Sequence, residues 1–193
     1  LTLAGDGRQD GVRVDAGAQI SVTRAIIRNT ATAVAIDGAA GGAMAAVSNN
    51  TLVNNVNGVA AANCGSLDVE DTVFAFHTGT ALGYQGCAAT RLHNFNAFWR
   101  NGQDQALPSG DSPGQGNVFA DPRFENPSQL DFRPRADSPL VDAGDPSLPT
   151  PPGSGARVDI GYVESAQAAV YVSPSYCAQC ANDALEWGVH PFT

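Results

Sequence analysis

Lysine is missing from the chain altogether, and methionine occurs once. All ten basic residues are arginine; against 19 acidic residues they leave a formal net charge of -9. Nucleic acid and anionic lipid both need a basic field, so this balance argues against either as a partner. It names no positive partner, because acidic surfaces also serve solubility. No run of 18 apolar residues occurs, so membrane insertion as a helix is not expected. Helical periodicity is also lacking. No basic-then-apolar leader opens the chain, which starts at Leu1 within "LTLAGDG". That opening reads as the middle of something. A mature or trimmed fragment is expected, so the lack of a leader does not argue against secretion. The glycine-rich "GAAGG" (38–42) lacks the Lys-Ser/Thr ending of a phosphate loop.

What is present is a repeat. The 193 residues, 43% of them apolar, suffice for one large domain with a core. Four stretches look alike: "RAIIRN" (24–29), "NTLVNN" (50–55), "DTVFAF" (71–76) and "NAFWRN" (96–101). The first three are each followed by a second apolar run, "TAVAI", "NGVAAA" and "TALGY". A period of about two dozen residues marks a solenoid. Short strands with polar turns make it a parallel β-helix, all-β, with superposed rungs. Core candidates are Ile26, Ile27, Leu52, Val53, Val73, Phe74, Phe98 and Trp99, of which alternation sends about half inward. Corner asparagines Asn29, Asn54, Asn55 and Asn101 are expected to bond backbone or one another. Cys64 and Cys87 lie one coil apart and are expected to form a disulfide, the alternative being two buried thiols.

The coil rhythm stops near residue 105. A Gly/Pro/Ser/Asp-rich stretch leads into "DPRF" (121–124), "SPLVDAG" (138–144) and "DIGYVE" (159–164). This run resembles the C-terminal ending of bacterial right-handed parallel β-helix proteins of the broad pectin-lyase-like group. Those endings pass from "DP.F" through "L.P.SP.IDAG" to "DIGA.E". The matches are Asp121-Pro122, Phe124, Leu130, Pro134, Ser138-Pro139, Val141 to Gly144, Asp159 to Gly161 and Glu164. Tyr162 stands where Ala is common, and Val141 where Ile is. The resemblance implies a right-handed coil closed by residues 106–165.

In that cap, Leu140 and Val141 are expected to face the last coil, with Ile160 and Val163 as anchors. Asp142 can accept backbone N–H groups or pair with Arg157; Asp159 and Glu164 complete the cap. Three readings of these carboxylates stay open: stitching of the fold's end, a calcium site from Asp137, Asp142, Asp145 and Asp159, or catalysis. Stitching is favoured, and no cofactor is expected.

Residues 166–193 follow the terminator. Tyr171-Val172-Ser173, Trp187 and Pro191-Phe192-Thr193 resemble the opening of a further β-helix domain of the same group. One expectation is that this tail docks on a second copy of the chain, head to tail. The others are a tandem protein or partial disorder. Cys177 and Cys180, in "CAQC", read as a short disulfide bracing the tail, which implies an extracellular or cell-surface location. The pair alone is half of a zinc site.

Three function classes follow. The favoured one is an extracellular structural or surface protein. A polysaccharide lyase or hydrolase is the second; Asp68 and Glu70 share a face, and Asp71, Arg24, Arg28, Arg91 and Arg100 are the remaining charged candidates. The third is a polysaccharide-binding face drawn from Phe76, His77, Tyr84, His93, Phe95 and Trp99, which read more simply as core stackers.

Overall fold

The computed structural model describes residues 1–38, 42–88, 91–152 and 154–165. The first turn of chain is β1 (Thr2–Ala4), β2 (Val12–Asp15) and β3 (Gln19–Thr23). The second is β4 (Ile26–Arg28), β5 (Thr32–Asp37) and β6 (Met44–Ser48); the third is β7 (Thr51–Val53), β8 (Asn57–Ala62) and β9 (Ser66–Glu70). The fourth is β10 (Val73–Ala75), β11 (Thr80–Gln85) and β12 (Arg91–Leu92), and β13 (Ala97–Trp99) and β14 (Gln103–Ala106) begin a fifth. Every third strand stacks on its equivalent. The first sheet runs β1-β4-β7-β10-β13, the second β2-β5-β8-β11-β14 and the third β3-β6-β9-β12. All these pairings are parallel. The fold is therefore a right-handed parallel β-solenoid.

The interior is one column of apolar side chains, among them Val14, Ile27, Val34, Val47, Leu52, Val69, Phe74, Leu82 and Phe98. Burial alternates along β6 and β9 of the third sheet, and in β5 and β8 of the second buried positions are interleaved with half-buried ones, so one face is solvated. The first sheet differs. All of β7 and β10 is buried, because both faces are covered. Leu52 and Phe74 point into the column, while Val53, Val73 and Ala75 pack outside it. Phe74 stacks on Phe98 at 5.1 Å between ring centres. Gly58 is required here, since a Cβ would collide with the Ala81 carbonyl and the Phe74 ring.

Two polar ladders bracket the first sheet. In one, the backbone N–H groups of Ala25, Asn50, Thr72 and Asn96 each donate to the side-chain oxygen of the equivalent residue one turn on, ending at Asn117. In the other, Thr30, Asn55, His77 and Asn101 are linked likewise, with His77 Nδ1 as one acceptor. Both ladders step by 25, 22 and 24 residues over the turns they share. Asn55 and Asn101 thus bond backbone, as do Asn50 and Asn96. Asn29 and Asn54 occupy left-handed corners (φ 56° and 55°).

This register corrects the sequence alignment by one residue. Ile26 pairs with Thr51, Thr51 with Val73 and Val73 with Ala97, so 24–29 matches 49–54, 71–76 and 95–100. The terminal asparagines of the four stretches are not equivalent: Asn29 is a corner residue and Asn55 a ladder residue. The coil also continues beyond residue 105. Val118 bridges to Ala97, and Phe119 stacks on Phe98 at 5.4 Å.

The terminal segment does not close the end of the column. A short antiparallel hairpin, β15 (Phe124–Asn126) and β16 (Asp131–Pro134), and the chain from Ser138 to Ser165 lie along the outer face of the first sheet. Phe124, Phe132, Leu140 and Ile160 bury Ile26, Val53, Val73, Ala75 and Ala97 there. Leu140 and Ile160 anchor the segment on this outer face, where Leu140 was expected against the last coil. Val141 and Val163 are only half-buried, at a cleft of the segment itself. The physical reason is area: the fifth partial turn already meets the column's end, while the first sheet offers a second apolar face.

Candidate functional site

The carboxylates of the terminal segment converge on backbone amides. Ser138 Oγ donates to the Pro122 carbonyl and accepts from Leu140 N–H. Asp142 sits in a left-handed turn (φ 54°), and its Oδ1 accepts from the amides of Ala156 and Arg157 at 2.7 and 3.0 Å. Asp159, fully buried, accepts from Asp142 N–H on Oδ1 and from Ser165 N–H on Oδ2. Asp159 N–H in turn donates to Glu164 Oε2 at 2.9 Å. Burial raises the Glu164 carboxyl above its usual range, against the pull of the Asp159 amide. The guanidinium of Arg157 donates to the Ala143 and Gly144 carbonyls and lies over the Phe95 ring at 5.6 Å. Asp142 therefore meets the Arg157 backbone, and the Arg157 side chain serves carbonyls.

The segment is tied to the coil through Asp71. Its Oδ1 accepts from Asp145 N–H at 2.8 Å, and its carbonyl accepts from Gly161 N–H at 2.8 Å. Thr51 Oγ1 accepts from Tyr162 N–H at 3.3 Å. Asp71 is fully buried, and Oδ2 has no partner. Burial, opposed by the Asp145 amide, pushes its carboxyl up to about 7.

An open cleft of about 1010 Å³ lies between the hairpin and this network, lined by Glu125, Arg133, Asp137, Asp142, Val163 and Glu164. Arg133 is held by both oxygens of Asp131, which pulls the Asp131 carboxyl down to about 2. The calcium candidates do not converge. Asp137 pairs with Arg123 and Arg135, Asp145 Oδ1 accepts from Ser147 N–H, and Asp159 is spent on two amides. Among the described residues no three His, Cys, Asp or Glu side chains group to hold a metal.

The coil candidates are placed as follows. Asp68 and Glu70 share the outward face of β9, and burial raises both carboxyls. Asp68 Oδ1 is buried without a partner, and Glu70 is bonded by Asn94. Asp71 and Arg100 occupy corners at opposite ends of the first-sheet strands, so the structure does not bring them together. Arg100 is exposed and lies over Trp99 at 5.6 Å. The aromatic set is not an exposed row. His77, Tyr84 and His93 are buried, and Phe76 and Trp99 pack on the outer cluster of the first sheet. Tyr84 donates to Asp111 at 2.7 Å. His77 Nε2 is buried with no partner, and burial lowers its pKa to about 4.

Cys64 and Cys87 form a disulfide between the third and fourth turns. Cys177, Cys180, Tyr171, Val172, Trp187 and Phe192 lie outside the described residues. Sequence reading missed the seam from Asp71 to Asp145 and Gly161, whose partners are 74 residues apart in the first case. No local signal marks such a contact. The ladders had a signal: Asn50 and Asn55, Thr72 and His77, and Asn96 and Asn101 flank the triplets of β7, β10 and β13. No family model matches the chain, and no curated protein or solved structure matches it either.

Proposed function

We propose that the chain is a structural module of an extracellular or cell-surface protein, of the pectin-lyase-like kind, built as a stiff rod. One observation carries this reading. The carboxylates of the terminal motif are spent on backbone amides within the segment itself, and the coil carboxylate of Asp71 holds the Asp145 amide, which is construction work. The inter-turn disulfide supports an oxidising setting. Head-to-tail assembly through the 166–193 tail extends the reading. Purified full-length chain is expected to form particles larger than one copy in light scattering, with rods in negative-stain images. Removal of 166–193 is expected to return single copies; a single-copy mass for the full chain refutes the assembly.

A second reading, action on polysaccharide, is favoured by Asp68 and Glu70. These two carboxyls share one face with raised proton affinity, as a general acid requires. Release of reducing ends or unsaturated ends from a panel of acidic and neutral polysaccharides tests it. Activity lost in both Asp68→Asn and Glu70→Gln would replace the structural reading; no release from any polysaccharide leaves the structural one standing.

A further inference from the structure

The terminal segment is fastened to the coil at a corner that holds a chemical conflict. Asp71 lies in the left-handed turn between β9 and β10 (φ 48°) and is fully buried. Its carbonyl and Oδ1 hold the Gly161 and Asp145 amides, yet Oδ2 is enclosed with nothing to bond. An ionised carboxylate in that position leaves a buried charged oxygen without a protein donor, which is costly. The charged groups facing it deepen the cost. Glu70 presses from its own strand, and Asp145 and Glu164 from the terminal segment, all acidic. Among the described residues no cation acts on the Asp71 carboxyl. Arg157 donates through Nη2 to the Ala143 and Gly144 carbonyls, with its Nε buried and unbonded, and Arg24, in the equivalent corner two turns earlier, acts on Glu164. The corners on either side hold Asn49 and Phe95, neither charged.

We infer that Asp71 is a proton-operated latch: with a proton on its carboxyl the terminal segment stays seated on the first sheet, and with that proton lost to solvent the segment lifts. Lifting uncovers Ile26, Val53, Val73, Ala75 and Ala97, an apolar strip along the side of the rod. The carboxyl's raised pKa, about 7, places the change near neutrality. The sign follows from linkage. The seated state binds the proton more tightly than the open one, so seating is favoured at acid pH and lost as pH rises through about 7. Local opening of this kind needs only the segment to move, since the coils keep their own hydrogen bonds.

Hydrogen exchange of the full chain, corrected for intrinsic rates, tests the latch. Between about pH 6 and about pH 8, protection of the 140–161 amides is expected to fall about tenfold relative to the amides of β7 and β10. Asp71→Asn, which removes the charge and keeps the shape, is expected to hold that protection level across the range. Equal protection at both pH values in the wild-type chain overturns the proposal, as does the same fall in Asp71→Asn. Should that variant fail to fold, the Asp71 carboxyl carbon is followed by NMR in the wild-type chain. A midpoint near neutrality supports the latch, and an ordinary carboxylate midpoint overturns it.

Discussion

Single side chains do unusual amounts of construction in this solenoid. Asn55 accepts from the amide and hydroxyl of Thr30 and donates to the Ile27 carbonyl, all buried. Alanine there strands a buried donor and acceptor in the turn below. Asn55→Ala is expected to cost about 1–3 kcal/mol or more in urea denaturation. His77 fills the same column, one turn on, where Asn stands on either side. His77→Asn is therefore expected to fold, with its oxygen replacing Nδ1 as acceptor. It also removes the enclosed Nε2. Because burial lowers the His77 pKa to about 4, the folded state binds fewer protons than the unfolded one between about 4 and 6.5. Stability from this group rises with pH across that window. His77→Asn is expected to flatten the acid limb of a plot of urea midpoint against pH, and an unchanged limb would exclude His77 as its source.

At the scale of elements, the first sheet is a shared wall between two cores. Its three-residue strands are too short to hold a face by themselves. Their outer side is covered by Phe124, Phe132, Leu140 and Ile160. Phe132 is buried and meets Phe124 edge to face at 5.4 Å. Phe132→Ala is expected to cost about 3–5 kcal/mol in seating the segment. Limited proteolysis should then cut between 121 and 165 while the coil fragment survives. Simultaneous loss of both would mean that the segment and the coils unfold as one unit.

For the molecule as a whole, two buried groups set opposing pH trends. His77 favours the folded state as pH rises from about 4 to 6.5, while Asp71 disfavours it as pH rises from about 4 to 7. The two largely offset in acid. Above about 6.5 only the Asp71 penalty is still growing, and the formal charge of -9 adds repulsion. The urea midpoint is expected to fall from about pH 6 to about pH 8, and Asp71→Asn to reduce that fall. The disulfide closes a separation of 23 residues. Reduction is expected to cost about 3 kcal/mol, read as a lower melting temperature with reductant present.

The amino-acid sequence by itself determined the rung. Apolar triplets such as "TLV" and "VFA", polar corners and a period near two dozen residues leave little but stacked parallel strands, and Cys64 and Cys87 declared their bridge by lying one period apart. Those are local or repeating signals, and short-range stereochemistry writes them directly into the chain. The three-dimensional arrangement decided what the rung touches. Thr51 and Val53, on either side of Leu52 in "TLV", are buried because a segment about a hundred residues later lies across them, as the Tyr162 amide on Thr51 records. Asp71 became a buried, conflicted carboxylate only when Asp145 and Gly161 arrived. Contacts at such separation carry no period and no spacing rule; they are set by which apolar faces remain uncovered after the coil has formed.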